Sequence, residues 1–461
     1  MSMTTLETLL ESKRHAYANA GFNPVFMPDK LFPFQSALVE WAVRKGRAAL
    51  FADCGLGKSA MQLTYAQNVV QKTARPALLL TPLAVGGQML QEAEKFGVEA
   101  ERSKDGKFTP GARVVIANYE RLHLFDPNDF AALVCDESSI LKNCDGVTKA
   151  LVTDFARKMS YRLLCTATPS PNDLIELGNS SEALGYMGFN DMLSTFFKKD
   201  QDRKTHSRKD EFRSGVWRFR GHAKEHFFQW LCSWSRAIRK PSDMGFNDTG
   251  FDLPPRIVET HIIESTEPNE GMLFAMPAVG LQEQRQESRK TLEERCALAA
   301  LRHGAHKGSG VAWCSLNDEA DELERAIHGA VQVSGCDSPD RKEEVFEAFA
   351  KGEILKLVTK PDIAGFGLNW QHCCHQTFFP SHSFEQYYQA VRRSWRFGQK
   401  SPVRIDMITS SGLLDVMKNL VRKEENAEAL FANLVRLMGS GNYIETERAH
   451  TTTTTLPSWL A

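Results

Sequence analysis

The chain has 461 residues, of which 42% are hydrophobic and 25% are charged, as in ordinary globular proteins. This length allows two or three domains, each with its own core. The formal net charge of −1 excludes binding of polyanions through bulk charge, so such binding requires a local basic surface. The longest apolar runs are strand-sized, and residues 1–15 lack the apolar core of a signal peptide. We therefore expect a cytoplasmic protein with no membrane partner.

After a predicted N-terminal helical extension over residues 1–30, residues 31–180 are predicted to form an α/β domain. Five apolar runs alternate there with polar helical stretches: Ala48–Phe51, Ala77–Thr81, Val114–Ala117, Leu133–Asp136 and Tyr161–Thr166. Apolar strands that alternate with helices favour a parallel sheet covered on both faces.

The first chemical motif is the run Ala52–Ser59, which follows a strand and opens a helical stretch. Gly55 and Gly57 let successive backbone N–H groups face a phosphate, and the helix N-terminus adds positive potential. Lys58 is predicted to reach the β- and γ-phosphates of a nucleotide, and the Ser59 hydroxyl to bind Mg²⁺. Alanine opens the run where a strict P-loop has glycine, so an ordinary turn is the alternative for this motif taken alone.

An acidic pair, Asp136 and Glu137, follows the buried-strand run 131–135. Ligands of parallel sheets bind beyond the carboxyl ends of the strands, so this pair is predicted to lie beside the P-loop. Asp136 would hold Mg²⁺ and Glu137 would polarise the attacking water. A helix N-cap is the alternative, but capping does not explain two adjacent acids. The run Thr166–Pro169 closes the next strand and places hydroxyls where they can relay between the phosphate pocket and the groove between domains.

Residues 181–253 are predicted to be a helical insertion or linker. Basic residues outnumber acids there, and aromatic residues are interleaved with them: Trp217, Phe219, Phe227, Phe228, Trp230 and Trp234. A basic stripe neutralises phosphates, and aromatic rings can stack on bases. We expect Arg203, Lys204, Arg208 and Lys209 to contact nucleic acid, with a solvated charged face as the alternative. For the aromatic residues we favour a small core of the insertion's own, with stacking on bases as the alternative.

Residues 254–415 are predicted to form a second α/β domain. Its strands are Ile257–Ile263, Val311–Ser315, Val331–Ser334, Leu355–Thr359, Gln376–Phe379 and Val403–Ile408. Residues 416–461 are predicted to form a helix, over Glu424–Met438, and a disordered tail. The run His372–His375 contains two histidines and two cysteines, but four consecutive residues cannot all face one metal ion, so we favour the entry of a strand.

The run Gln389–Gln399 near the end of the second domain contains closely spaced arginines. Arg393 and Arg396 are three residues apart and are predicted to share a helix face. Guanidinium groups suit the charge that develops on a transferring phosphoryl group. Gln389, Arg393 and Arg396 are therefore predicted to complete the catalytic site, together with Lys58 and Glu137. A solvated basic helix is the alternative.

These motifs, in this order, resemble helicase superfamily two, and within it the Swi/Snf-like DNA translocases, over roughly residues 31–410. Gln35 in the run Leu31–Gln35 matches the glutamine that reads adenine, and Gly367 lies in the run Gly365–Asn369, which is similar to motif V. Ser139 and Trp395 depart from the family, which has histidine at both positions. The compact size is typical of a phage or bacterial member.

The resemblance implies two tandem RecA-like domains that bind ATP and Mg²⁺ between them, and a nucleic-acid partner, most often duplex or branched DNA. In related motors, loop positions that match Thr81, Asn118, Ser315 and Thr359 contact the nucleic acid. We therefore expect an ATP-dependent motor that translocates on DNA or remodels it. A strand-separating helicase is the first alternative, and an ATP-gated clamp or recruitment module is the second.

Overall fold

The computed structural model describes residues 21–82, 85–111, 113–143, 145–199, 217–264, 281–364 and 369–439. They form two parallel-sheet units in tandem, so the predicted α/β fold class is confirmed. Within the described ranges, no helix combines the length and the apolar character needed to cross a membrane.

The first unit is built on a seven-stranded parallel sheet. Its part of the chain contains the strands β1 (Arg47–Ala52), β2 (Ala77–Thr81), β3 (Ala100–Arg102), β4 (Val114–Asn118), β5 (Ala132–Asp136), β6 (Tyr161–Thr166), β7 (Phe197–Lys199), β8 (Trp217–Phe219) and β9 (Ser235–Ile238). The sheet order is β3-β4-β2-β5-β6-β1-β9, whereas β7 and β8 form a separate antiparallel pair. All five sequence-predicted strands of this unit are confirmed.

Helices cover both faces of this sheet, as its apolar strands require. They are α1 (Pro33–Lys45), α2 (Lys58–Thr73), α3 (Gly86–Lys95), α4 (Val147–Arg157), α5 (Leu177–Leu184), α6 (Phe189–Phe196) and α7 (Ala223–Trp234). Alternate residues of β1 enter opposite cores: Ala49 and Phe51 pack on one face, and Ala48 and Leu50 on the other.

The second unit is a six-stranded parallel sheet in the order β10-β15-β14-β11-β13-β12. Its strands are β10 (Arg256–Ile263), β11 (Gly310–Trp313), β12 (Ala330–Val333), β13 (Lys356–Thr359), β14 (His375–Phe378) and β15 (Val403–Ser410). Its helices are α8 (Leu281–Lys290), α9 (Leu292–Ala305), α10 (Asn317–Ala326), α11 (Pro339–Lys351), α12 (Phe384–Ser394) and α13 (Leu414–Gly439). Since β14 begins at His375, the strand-entry interpretation of the histidine–cysteine run is confirmed.

The predicted insertion contains more than helix. Strand β9 pairs with β1 and extends the first sheet, so the prediction of helix alone is wrong at Ser235–Ile238. It is also wrong at Phe197–Lys199 and Trp217–Phe219, which form the antiparallel pair of β7 and β8. Strand β9 has only four residues and follows α7 directly, which leaves no alternating pattern to detect in the sequence. The aromatic side chains of Phe227, Phe228 and Trp234 are buried, as predicted, but they lie in the core of the first unit and not in a separate core of the insertion.

The last helix, α13, packs against both units. Leu420 lies in the core of the second unit, whereas Leu430, Phe431, Leu434 and Leu437 lie in that of the first. The helix contains the predicted stretch Glu424–Met438 and begins ten residues earlier, at Leu414. Because one continuous helix contributes to both cores, it ties the two sheets together. The predicted tail, residues 440–461, lies outside the described residues.

Candidate nucleotide-binding site

The P-loop leaves the carboxyl end of β1 and enters α2 at Lys58. Gly55 and Gly57 have φ angles of +89° and +76°, which residues with a Cβ atom rarely adopt. A Cβ atom at Gly57 would lie 2.3 Å from Nε2 of Gln35, and one at Gly55 would lie 2.8 Å from the backbone nitrogen of Phe397. Both glycines are therefore required by their backbone conformation and by their close neighbours.

Lys58 lies at the base of this loop. Its Nζ donates to the carbonyl oxygens of Ala52 at 3.1 Å and of Asp53 at 3.5 Å. Burial lowers the pKa of Lys58, but Cys54 and the neighbouring carboxylates outweigh this effect and raise the pKa above its ordinary value. The ammonium group therefore stays charged while it is held against the loop.

The acidic pair lies at the carboxyl end of β5, two strands away from the P-loop strand. Nε2 of Gln62, on α2, donates to Oδ1 of Asp136 at 2.7 Å. Burial, followed by the charge of Glu137, raises the pKa of Asp136 to about 6. Glu137 has a φ of +49°, a strained conformation for a side chain with a Cβ atom. Such strain is typical of functional positions.

Thr166 and Thr168 connect the acidic pair to β6, the strand that lies between β5 and the P-loop strand β1. The Thr166 hydroxyl, at the end of β6, donates to Oε2 of Glu137 at 3.3 Å and accepts from the backbone N–H of Thr168 at 3.0 Å. The predicted proximity of these three strand ends is thus present in the structure: β5, β6 and β1 are consecutive in the sheet.

The arginines of the second unit approach this edge from α12. Arg393 is buried near the end of that helix, but the helix ends at Ser394, so Arg396 lies beyond it. The prediction that the two share a helix face is therefore wrong, because the chain leaves the helix at Trp395 with φ −87° and ψ 79°. Burial lowers the pKa of Arg393 to about 10, while Cys54 and Glu137 act in the opposite direction.

Arg396 experiences the same two groups: burial lowers its pKa, and Cys54 and Glu137 oppose this. Both guanidinium groups are therefore close enough to the first unit to interact with its charges. Nε2 of Gln389 is buried and has no hydrogen-bond partner among the described residues. A buried amide group without a protein partner has a donor available for a ligand.

Gln35 lies on α1, above the P-loop. Its Nε2 donates to the carbonyl of Leu56 at 2.9 Å, and its Oε1 accepts from the backbone N–H of Phe32 at 3.0 Å. The side chain therefore ties the start of α1 to the loop. Its role in reading adenine stays a prediction.

Sequence reasoning missed three residues that join the two units at the P-loop. Arg392 and the Tyr388 hydroxyl, both on α12, contact the two carboxylate oxygens of Asp53. The sequence does contain one indication of this contact: Asp53 is an acid inside a phosphate-binding loop, and its negative charge requires a compensating cation. A second ion pair, between Lys142 and Glu385, also spans the units.

The residues expected to contact nucleic acid have different surroundings. Thr81, Asn118 and Thr359 end their strands but are buried. Asn118 donates to the carbonyls of Thr81 and Pro82, and Thr359 donates to the carbonyl of Val333. Because these three side chains are buried, a phosphate at these positions would have to contact backbone groups. Ser315 is exposed, so its hydroxyl is accessible. All four assignments stay predictions.

Five further predicted site residues lie outside the described residues. They are Gly367 and the basic residues Arg203, Lys204, Arg208 and Lys209.

The residues present fit ATP and Mg²⁺. The loop has two glycines with positive φ angles, as a phosphate-binding loop requires, and a charged lysine lies at its base. Ser59 and Asp136 offer a hydroxyl and a carboxylate, the hard oxygen ligands that Mg²⁺ prefers.

A second acidic cluster lies away from this cleft, on β10 and β15. Glu259, His261 and Asp406 are close enough to suggest a metal site. However, Arg302 donates to Glu259 at 2.6 Å and to Asp406 at 2.9 Å, and His375 contacts Asp406 at 2.8 Å. Arg302 and Arg404 already neutralise these carboxylates, so we interpret the cluster as an ion-pair network.

Comparison with known proteins finds related sequences, although no family model matches the chain. The chain is 26% identical over 186 residues to the DNA annealing helicase and endonuclease ZRANB3 of Mus musculus, which covers 37% of this chain and 17% of that protein. A second relative is a SWI/SNF-related matrix-associated actin-dependent regulator of chromatin subfamily A-like protein 1 homolog of Caenorhabditis elegans. The two are 28% identical over 169 residues, which cover 33% of this chain and 24% of that protein.

A phage protein is also related: the putative protein p41 of Acyrthosiphon pisum secondary endosymbiont phage 1 is 28% identical over 200 residues, covering 37% of this chain and 43% of that protein. These matches span less than half the length of each relative. Among solved structures, the Sulfolobus solfataricus SWI2/SNF2 ATPase core in complex with dsDNA aligns with 91% of this chain and 97% of that chain, with 16% sequence identity and a TM-score of 0.42.

Two tandem parallel sheets, with a P-loop and an acidic pair on the first and paired arginines on the second, are the features that the resemblance to helicase superfamily two predicted. The relatives confirm the narrower prediction that the sequence motifs made: the chain is related to the Swi/Snf-like members of that superfamily.

Proposed function

We propose that this chain is an ATP-driven motor that translocates on, or remodels, duplex or branched DNA. The observation that carries the proposal is the meeting of two sets of side chains at one cleft. Lys58 and the pair Asp136 and Glu137 come from the first unit, and Arg393 and Arg396 come from the second. ATP hydrolysis would then depend on how closely the two units approach each other.

Each residue has a role that follows from its chemistry. Lys58 would neutralise charge on the β- and γ-phosphates, and Glu137 would orient the attacking water and accept its proton. Arg393 and Arg396 would stabilise the charge that develops on the transferring phosphoryl group. Ser59 and Asp136 would hold Mg²⁺, which neutralises phosphate charge when it is bound.

Motion would come from closing and opening the cleft. Because the arginines lie on the second unit, hydrolysis requires the closed arrangement, and a nucleic acid that favours closure should stimulate it. Alternate closing and opening would change the grip of each unit on its track. The name of one relative, a DNA annealing helicase, supports DNA as the partner.

The test is steady-state ATPase activity with single-stranded DNA, duplex DNA, branched DNA and RNA compared side by side. We expect duplex or branched DNA to stimulate hydrolysis most strongly, with a rate that rises with track length. The absence of ATPase activity with every nucleic acid would overturn the proposal. Stimulation that does not depend on length would favour an ATP-gated clamp, and release of a labelled strand from a duplex would favour a strand-separating helicase.

A further inference from the structure

We infer that Arg392 is a positioning residue, whose ion pair with Asp53 sets how α12 and the following arginines dock on the nucleotide site. The inference rests on the proposed ATP hydrolysis, and it assigns a role to two residues outside the predicted site.

The contact between the two units is closely built. Arg392 donates from Nη2 to Oδ2 of Asp53, and the Tyr388 hydroxyl donates to Oδ1. Oδ1 also accepts from the backbone N–H of Cys54 at 2.7 Å, so the same carboxylate shapes the P-loop. The side chains of Asp53 and Arg392 are only 8% and 9% exposed. A buried carboxylate of this kind requires a partner cation.

The guanidinium group of Arg392 is also held from the side of the second unit. It lies 4.2 Å from the ring centre of Trp395 and 5.3 Å from that of Tyr388, and its Nη1 donates to the carbonyl of Trp395 at 3.3 Å. Burial lowers the pKa of Arg392, but Asp53 and Tyr388 outweigh it and raise the pKa. The group is therefore fixed in place and charged, as a positioning residue must be.

Two consequences follow for the proposed reaction. First, Arg393 is the next residue and Arg396 follows shortly after, so fixing Arg392 against the P-loop limits where both can lie. The close approach of Phe397 to Gly55 shows how tightly this segment docks. Second, Asp53 lies in the loop that would hold the phosphates, and its negative charge would repel them if it were not neutralised.

A purely structural contact would act differently. It would lower stability without separating the binding of ATP from its turnover. The distinguishing experiment measures KM for ATP and kcat, both with saturating DNA, for Arg392→Gln, Asp53→Asn and the double variant. The melting temperature of each variant reports whether it is folded.

Arg392→Gln should raise KM and lower kcat, each by about tenfold, a coupling typical of contacting residues. In the double variant the uncompensated charge is gone, so KM should return close to the wild-type value while kcat stays low. Arg392→Lys keeps the charge but loses the planar guanidinium group. Its KM should therefore also stay close to the wild-type value, while its kcat is low. Arg44→Gln, which removes an exposed ion pair with Glu40 on α1, is the matched control and should change neither constant.

A wild-type kcat in folded Arg392→Gln would overturn the positioning role, and so would a double variant whose KM rises as the product of the single effects. If Arg392→Gln does not fold, Arg392→Lys and the double variant decide the same question. A wild-type protein without ATPase activity would instead overturn the proposed function itself, so the two failures are distinguishable.

Discussion

The Thr166 hydroxyl donates a hydrogen bond of 3.3 Å to Oε2 of Glu137, and so links the ends of β6 and β5. If Glu137 orients the attacking water, this bond helps to hold the carboxylate in place. Thr166→Val, which keeps the shape and removes the hydroxyl, should lower kcat by about ten- to a hundredfold and leave ATP affinity unchanged, because the loss of one neutral-to-charged hydrogen bond is worth about 1.5–3 kcal/mol. An unchanged kcat would show that the bond has no role in turnover.

Glu137 itself should be essential for turnover. Glu137→Gln should keep ATP binding and nearly abolish hydrolysis, because the amide cannot accept the proton of the water. Lys58→Ala should weaken binding or turnover through loss of the phosphate cation. Binding is measured with a fluorescent nucleotide and turnover by phosphate release. The matched control is Glu120→Gln, an exposed acid after β4, which should behave as wild type. Hydrolysis at the wild-type rate in Glu137→Gln would assign the base elsewhere.

Arg396 should act on turnover from the second unit. Arg396→Ala should lower kcat by at least about a hundredfold, as the loss of an arginine finger does, with a much smaller effect on ATP affinity. The comparison uses single-turnover hydrolysis and equilibrium binding. A folded variant with an unchanged kcat would mean that the cleft does not close in the proposed way.

The sequence predicted the parts of this site that belong to local motifs. The P-loop and the acidic pair each follow an apolar strand, and the carboxyl ends of parallel strands share one edge, so their proximity could be inferred from order alone. The end of α12 could not be inferred in this way. Spacing placed Arg396 on the helix, but the end at Ser394 depends on how Trp395 packs, with its Nε1 donating to the carbonyl of Pro254 at 2.7 Å.

Contacts between the units were likewise beyond sequence patterns. Asp53 and Arg392 are 339 residues apart, and nothing local requires them to meet. Strand β9 was missed for a related reason: its pairing with β1 is tertiary, and four residues are too few to show a period of two.

The pH dependence of stability should reveal the burial of Asp136. Its pKa of about 6 lies above the ordinary value of 3.8, so the folded protein binds this proton more tightly than the unfolded chain. The folded state therefore loses stability as the pH rises from about 4 through 6. Asp136→Asn lacks this titration, so its free energy of unfolding should exceed that of the wild type at pH 8 by about 3 kcal/mol, and by less at pH 4.5.

Denaturant unfolding in metal-free buffer at both pH values measures this difference. If the difference in free energy of unfolding between Asp136→Asn and wild type stays constant with pH, the carboxyl group titrates normally.

The basic segment between α6 and α7 should contribute to gripping nucleic acid. Charge reversal at Arg203, Lys204, Arg208 and Lys209 should weaken binding and flatten its salt dependence, since each lost phosphate contact removes about one unit of slope. ATP binding should survive, because these positions lie outside every nucleotide motif. DNA-stimulated hydrolysis should then need more DNA to reach half its maximum, with the unstimulated rate unaltered.

Binding at several salt concentrations distinguishes a direct contact from a change in overall charge. The control reverses the same number of charges at exposed positions on the first unit: Arg44, Lys104, Lys107 and Lys158. Both variants change the net charge equally, so a bulk electrostatic effect would weaken binding in both to a similar extent. A local contact predicts a flatter slope for the reversal within residues 203–209 alone. Equal slopes for that variant and wild type would leave the segment as a spacer with a solvated charged face.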